Sequence, residues 1–187
     1  DFDSEGADDL AVGVCNETTG VVAEAGVVNV FYGVPFGTMG NPDLTLTEPA
    51  PAAGRQLGLA LGAGDINGDG ADELVMESAA GWFYFLYGSS GGLATAGPVW
   101  NLGQYTGIVL GDFNGDGFAD FVVGGPTPGW TTGDSFVWHG SASGLVEPPA
   151  SWLRQDFMVS DTLDGGNEAG DRFAESLLAA DLDNDGY

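Results

Sequence analysis

Three stretches of the chain place oxygen-bearing side chains at alternate positions and then turn on glycine: Asp65-Ile-Asn67-Gly-Asp69-Gly-Ala71-Asp72-Glu73, Asp112-Phe-Asn114-Gly-Asp116-Gly-Phe118-Ala-Asp120 and Asp181-Leu-Asp183-Asn-Asp185-Gly-Tyr187. A looser copy is Asp1-Phe-Asp3-Ser-Glu5-Gly-Ala7-Asp8-Asp9. Oxygen ligands at positions 1, 3 and 5 with glycine at 6 let a turn wrap hard donors around a calcium ion. Position 7 supplies a backbone carbonyl in such a turn, so its side chain is free to vary, here as Ala7, Ala71, Phe118 and Tyr187. An EF-hand closes its cage with a bidentate Glu at position 12, but that position holds Val12, Met76 and Val123. A carboxylate stands instead at position 9, as Asp9, Glu73 and Asp120. The loop therefore closes at position 9 and runs directly into the next element.

Asp, Asn and Gly are also the residues of ordinary tight turns, and a single loop of this kind reads as a turn. Four in register favour Ca2+, three to four ions in all. Several carboxylates in one short loop oppose folding unless a cation neutralises them. Magnesium suits the pattern less, because it sheds its water reluctantly and demands strict octahedral geometry.

Other chemistry has little to stand on. His139 is the one histidine and occupies the repeat position of Tyr32 and Tyr87, which marks a strand end before a catalytic base. With one His and one Cys no zinc cluster forms. Cys15 reads as a small buried thiol. Of the 28 acids, 13 stand at positions 1, 3, 5 and 9 of the loops, so the expectation is a non-enzyme. A net charge of -25, with three Arg and no Lys, excludes binding by phosphate neutralisation and disfavours anionic membranes. No apolar run approaches the roughly 20 residues of a membrane span. Thr127 to Asp134 with Trp130, and Ala150 to Glu168 with Trp152, Arg154 and Phe157, are candidate recognition loops for a protein or glycan. Packing of these aromatics is the competing reading. Asn16-Glu17-Thr18 fits a glycosylation sequon.

The elements that must hold the loops repeat with them. Apolar stretches precede the last three loops, at Leu57 to Gly64, Tyr105 to Gly111 and Phe173 to Ala180. A second set follows the first three, as Leu10 to Val14, Leu74 to Met76 and Phe121 to Gly124. A hairpin then leads to a third strand ending in an aromatic residue and a glycine turn, Tyr32-Gly33, Tyr87-Gly88 and His139-Gly140. The last two continue alike, as Gly88-Ser-Ser-Gly-Gly-Leu93 and Gly140-Ser-Ala-Ser-Gly-Leu145. Loop starts 64, 47 and 69 residues apart define one meander module of variable length. Thirty-three glycines interleaved with Val, Leu, Phe and Trp fit many short strands. The Pro-rich pieces Pro42 to Pro51 and Pro148-Pro149 read as connectors. Such modules cannot bury both faces alone, so they stack, and short strands favour propeller blades over a solenoid. The expected units are about 1–50, 54–98, 103–150 and an incomplete 170–187. An incomplete module at each end favours a segment of a larger propeller over a ring of three blades, and open edges would permit self-association.

The stretches Gly170-Asp-Arg-Phe-Ala-Glu-Ser-Leu-Leu-Ala-Ala-Asp-Leu-Asp-Asn-Asp-Gly-Tyr187 and Leu110-Gly-Asp-Phe-Asn-Gly-Asp-Gly-Phe-Ala-Asp-Phe-Val-Val-Gly124 resemble the FG-GAP repeat of integrin α-subunit propellers and their bacterial relatives. The FG dipeptide itself is replaced, by Leu57-Gly58 and Phe173-Ala174, and the first loop has Ser4 and Glu5 where Asn or Gly and Asp are usual. The resemblance implies an all-β propeller of typically seven blades, with calcium loops between the first two strands of each blade. It also implies an extracellular or cell-surface location and a role in adhesion or ligand binding. Three functions are open at this point: a binding module for a protein or glycan, a structural subunit of a surface assembly, and a domain of a polysaccharide-active enzyme.

Overall fold

The computed structural model describes residues 1–34, 40–79, 81–103, 105, 107–125, 134–154, 174 and 176–180. Among these the chain forms eleven strands: β1 (Leu10–Val14), β2 (Val27–Phe31), β3 (Leu44–Leu46), β4 (Leu61–Gly64), β5 (Glu73–Glu77), β6 (Trp82–Tyr87), β7 (Thr95–Asn101), β8 (Gly107–Gly111), β9 (Asp120–Gly125), β10 (Asp134–Trp138) and β11 (Ser151–Arg154). They make three antiparallel meanders, β1-β2-β3, β4-β5-β6-β7 and β8-β9-β10-β11. The all-β expectation is met. No helix among the described residues is long and apolar enough to cross a membrane.

The chain divides into two compact units, residues 1–63 with 70–102, and residues 64–69 with 103–187. In the first unit, β1-β2-β3 and the strands β5 to β7 enclose a core of Phe2, Val28, Val30, Leu57, Leu74, Met76 and Leu93. The uninterrupted apolar run Leu74-Val75-Met76 lies in β5, which is buried along its whole length, as such a run requires. Two chain segments meet backbone to backbone here. A Cβ on Gly13 would run into the Gly58 carbonyl, and one on Gly58 would sit 2.9 Å from the Gly13 Cα. Gly58 also has φ +86, so both positions require glycine.

In the second unit β9 is the fully buried strand. Phe121 packs on Trp138 at 5.5 Å between ring centroids, and Phe136 on Trp138 at 6.0 Å. Residues 174 and 176–180, from the stretch expected to open a fourth module, form no strand but follow the face of β8 and β9: a Cβ on Gly107 would lie 3.3 Å from Leu177, and one on Gly111 3.4 Å from Ala179.

The modules hold one strand more than the sequence reading gave them. Leu44–Leu46 pairs with β2 inside the stretch expected to be a connector. Likewise Trp152 lies in β11 opposite Phe136, stacked on it at 5.8 Å with an interplanar angle of 6°. It is a half-exposed strand residue rather than part of a loop. Asp134 begins β10 and is buried. Arg154 ends β11; Trp130, Phe157 and the remaining residues 127–133 and 155–168 of the two expected recognition loops lie outside the described residues. Of Leu57 to Gly64, only Leu61–Gly64 is a strand; Leu57 is a core residue bridged to Gly26.

Candidate metal centre

Three of the four acidic loops fall within the described residues, and they share a backbone. Position 4 has positive φ in each, at Ser4 (57), Gly68 (73) and Gly115 (74), and so does position 6, at Gly6 (85), Gly70 (89) and Gly117 (88). Left-handed conformations at alternate positions coil the loop and turn its amides inward, which explains the glycines. Ser4 takes the same conformation without being glycine, so the loosest copy in sequence is a full copy in shape.

The position 1 carboxylate collects those amides. Asp1 accepts from Glu5 N–H at 3.1 Å through one oxygen and Gly6 N–H at 2.9 Å through the other. Asp112 accepts from Gly115 at 2.8 Å, Asp116 at 3.1 Å and Gly117 at 2.7 Å, and Asp65 from Gly68 at 2.7 Å and Asp69 at 3.1 Å. At position 3 the side-chain oxygen accepts the position 5 amide, in Asp3 (3.1 Å), Asn67 (2.8 Å) and Asn114 (2.9 Å). These bonds form an Asx turn; an ionised carboxylate such as Asp3 offers about four acceptor sites, of which a bond of this kind takes one.

Position 9 is fixed from two sides. Asp9 accepts Phe2 N–H and Gly33 N–H, both at 2.6 Å. Asp120 repeats this with Phe113 at 3.1 Å and Gly140 at 3.0 Å. The glycine turn closing the third strand thus holds the last acid of the loop, which explains why the two motifs recur together. Asp120 and Glu73 are wholly buried and open β9 and β5.

Asp1, Asp3 and Asp9 bring carboxylate oxygens within 4.8 Å of one another. Two oxygens on one calcium, each 2.3–2.6 Å away, stand up to about 5 Å apart, so this donor set fits the ion. Glu5 is exposed and is not in that group. Of the position 7 residues, Ala7 and Phe118 are half-buried and Ala71 is buried. In the second loop Asp65, Asn67 and Asp69 fall in one compact unit and Ala71 and Glu73 in the other. Asp181, Asp183, Asp185 and Tyr187 lie outside the described residues. In the third loop Asp116 accepts Phe118 N–H at 3.1 Å and the Asn114 Nδ2 amide at 2.9 Å.

His139 belongs to this site, which the sequence reading missed. Its Nδ1 stands 3.1 Å from Asp120 Oδ1 and 3.1 Å from Asn114 Nδ2. The available signal was its place next to Gly140, the residue that clasps position 9.

A family model described as an FG-GAP-like repeat matches residues 65–123. Integrin alpha-7 of Homo sapiens is 29% identical over 160 residues, covering 73% of this chain and 13% of the relative. Integrin alpha pat-2 of Caenorhabditis briggsae is 29% identical over 183 residues, covering 80% and 14%. Integrin alpha-3 of Cricetulus griseus is 28% identical over 119 residues, covering 55% and 11%. The chain spans only about a seventh or less of the length of these relatives. The family-model match takes in the second and third acidic loops, β5 to β8 and most of β9, so residues 65–123 carry an FG-GAP-like repeat, and the chain is similar to integrin alpha chains over more than half of its length.

Proposed function

We propose that the chain is a calcium-stabilised binding module of the cell surface or extracellular space, built of blades of a larger propeller, that recognises a protein or glycan. The observation that carries this is the shared conformation and donor pattern of the three described loops, with three carboxylates converging in the first. Side chains at positions 1, 3, 5 and 9 and the carbonyl at 7 would hold one Ca2+ per loop, three to four in all. The bound ion supplies positive charge that offsets the crowded carboxylates. The chain's own amides fix those carboxylates in place, so little ordering remains to be done when the ion arrives. A site at 100 times its dissociation constant adds about 2.7 kcal/mol to the folded state.

Integrin alpha chains are the relatives that point to adhesion and to the cell surface. The part of this module that contacts a partner is assigned to the segments after β9 and β11. Self-association is the second reading, favoured by the exposure of Leu10 and Val12 on β1. A non-enzymatic role is part of the proposal; glycan turnover abolished by changing an acid outside the loops would overturn it.

The test is a thermal melt in calcium, in magnesium and in chelator at equal ionic strength. A large upward shift specific to calcium is expected. Equal melting in all three would reduce the loops to turns.

A further inference from the structure

We infer that a cation in the first loop is felt in the turns flanking β5 and β6, and not only in the β1-β2-β3 sheet that the loop leads into. The inference rests on the calcium reading above and deepens it, because it says what the ion couples.

The leading half of the loop is fastened away from its own sheet. The Asp1 carbonyl accepts the N–H of Asp72 at 2.9 Å, and the Phe2 carbonyl accepts that of Ser89 at 3.1 Å. Ser4 Oγ donates to the Gly70 carbonyl at 2.9 Å. The Phe2 ring is buried in a cluster that joins Leu74 and Met76 of β5 and Leu93 of the turn after β6 to Val28 and Val30 of β2. The trailing half goes the other way: Asp9 precedes β1 and is clasped by Gly33 at the end of β2. Asp1 and Asp3 therefore stand on the anchor at Asp72 and Ser89, and Asp9 reaches across, taking Phe2 N–H from that side and Gly33 N–H from the other. An ion held by all three joins the anchors.

The arrangement recurs independently in the second unit. There the Asp65 carbonyl accepts Ala119 N–H at 2.8 Å, and the Ile66 carbonyl accepts Ser141 N–H at 3.1 Å. In both repeats the donors are the residue at position 8 of the following loop and the serine after the following glycine turn. Residues 64–69 accordingly group with β8 to β11. Without the cation, carboxylates within 4.8 Å repel one another. That repulsion presses Asp1 and Asp3 away from Asp9 and loosens the bonds at Asp72 and Ser89. By linkage, weakening those bonds must weaken the ion.

The experiment is native-state hydrogen exchange on the whole chain, in saturating calcium and in chelator at equal ionic strength. Calcium should slow the Asp72 and Ser89 amides by about ten-fold or more, alongside Glu5 and Gly6. Protection confined to residues 3–14 would overturn the inference. Ser4→Gly removes the hydroxyl but keeps a residue suited to φ 57, and it alters no proposed ligand. Calcium titration followed at the Glu5 and Gly6 amide resonances should then give an affinity up to about five-fold weaker, one hydrogen bond's worth. Gly88→Ala is the second variant, because its Cβ would sit 3.0 Å from the Phe2 carbonyl oxygen and against that of Asp72. Unchanged affinity in a folded Ser4→Gly chain would overturn the inference. A wild-type chain in which calcium alters neither the melt nor Glu5 and Gly6 would overturn the calcium reading itself.

Discussion

At the scale of single residues, charge in this molecule is handled in two ways. In the loops, acids are met by backbone amides. Asp116→Asn separates the hydrogen bond from the charge, because the amide oxygen can still accept Phe118 N–H while the charge is gone; the other bond it gives up, from Asn114 Nδ2, is exposed and contributes little. Its melting point should match wild type in chelator and fall below it only in calcium; an equal drop in both would make Asp116 a turn former. Elsewhere an acid is buried against a side chain. Glu48, 3% exposed, takes the Arg55 Nε at 2.9 Å, and Arg55 in turn lies 5.7 Å above the Trp82 ring. The bond to Glu48 raises the Arg55 pKa, so the guanidinium stays charged. Arg55→Leu leaves a buried carboxylate without its cation and should cost about 3 kcal/mol in urea unfolding. Glu48→Leu with Arg55→Leu should recover most of that. A single change worth less than about 0.5 kcal/mol, the scale of a surface substitution, would show that solvent already screens the pair. The recurring turn of the loops was legible from the spacing of its glycines. The Glu48–Arg55 pair was not, because it joins residues of a proline-rich stretch whose approach depends on the folded sheets.

At the scale of elements, the legible strands were those with an unbroken apolar run. Leu74-Val-Met76 and Phe121-Val-Val123 had to be buried on both faces, and β5 and β9 are. The outer strands escaped notice for a physical reason. An edge strand need cover only one face and tolerates residues that break a ladder. β7 accordingly carries Gly97 and Pro98, and β3 is three residues long with an exposed central Thr45. Gly97 lies against the Tyr87 ring, where a Cβ would come within 2.7 Å. The close approach of Gly13 to Gly58 was hidden too, since nothing local pairs residues so far apart. Gly13→Ala should therefore destabilise by about 1–3 kcal/mol through overpacking, read as a lower urea midpoint with an unchanged slope. A neutral result would show that the two segments separate at little cost.

At the scale of the whole molecule, a chain with net charge -25 resists compaction, and alkaline pH should bring that to the surface. Three tyrosines are held protonated by the fold. Tyr84, Tyr87 and Tyr105 all have pKa values raised above the ordinary 10.0, first by burial and then by nearby negative charge from Glu48, Glu73 and Asp134 respectively. The Arg55 guanidinium acts against the rise at Tyr84 without cancelling it. A folded pKa above the unfolded one means that the folded chain keeps protons the unfolded chain gives up. Stability from these groups is therefore complete below the unfolded value near 10.0 and is lost as pH climbs through the folded values. Each tyrosinate that forms also adds to a charge already far from zero. The expected record is a stability that falls above pH 10.0, with part of the tyrosinate absorbance delayed until the sheets open by circular dichroism. Calcium, if it links the loops as argued, should move that opening to higher pH without moving the absorbance of exposed tyrosine. If all the tyrosine ionised near the ordinary value while the sheets stayed intact, the three rings would be solvated, and burial between the strands would not be what holds their protons.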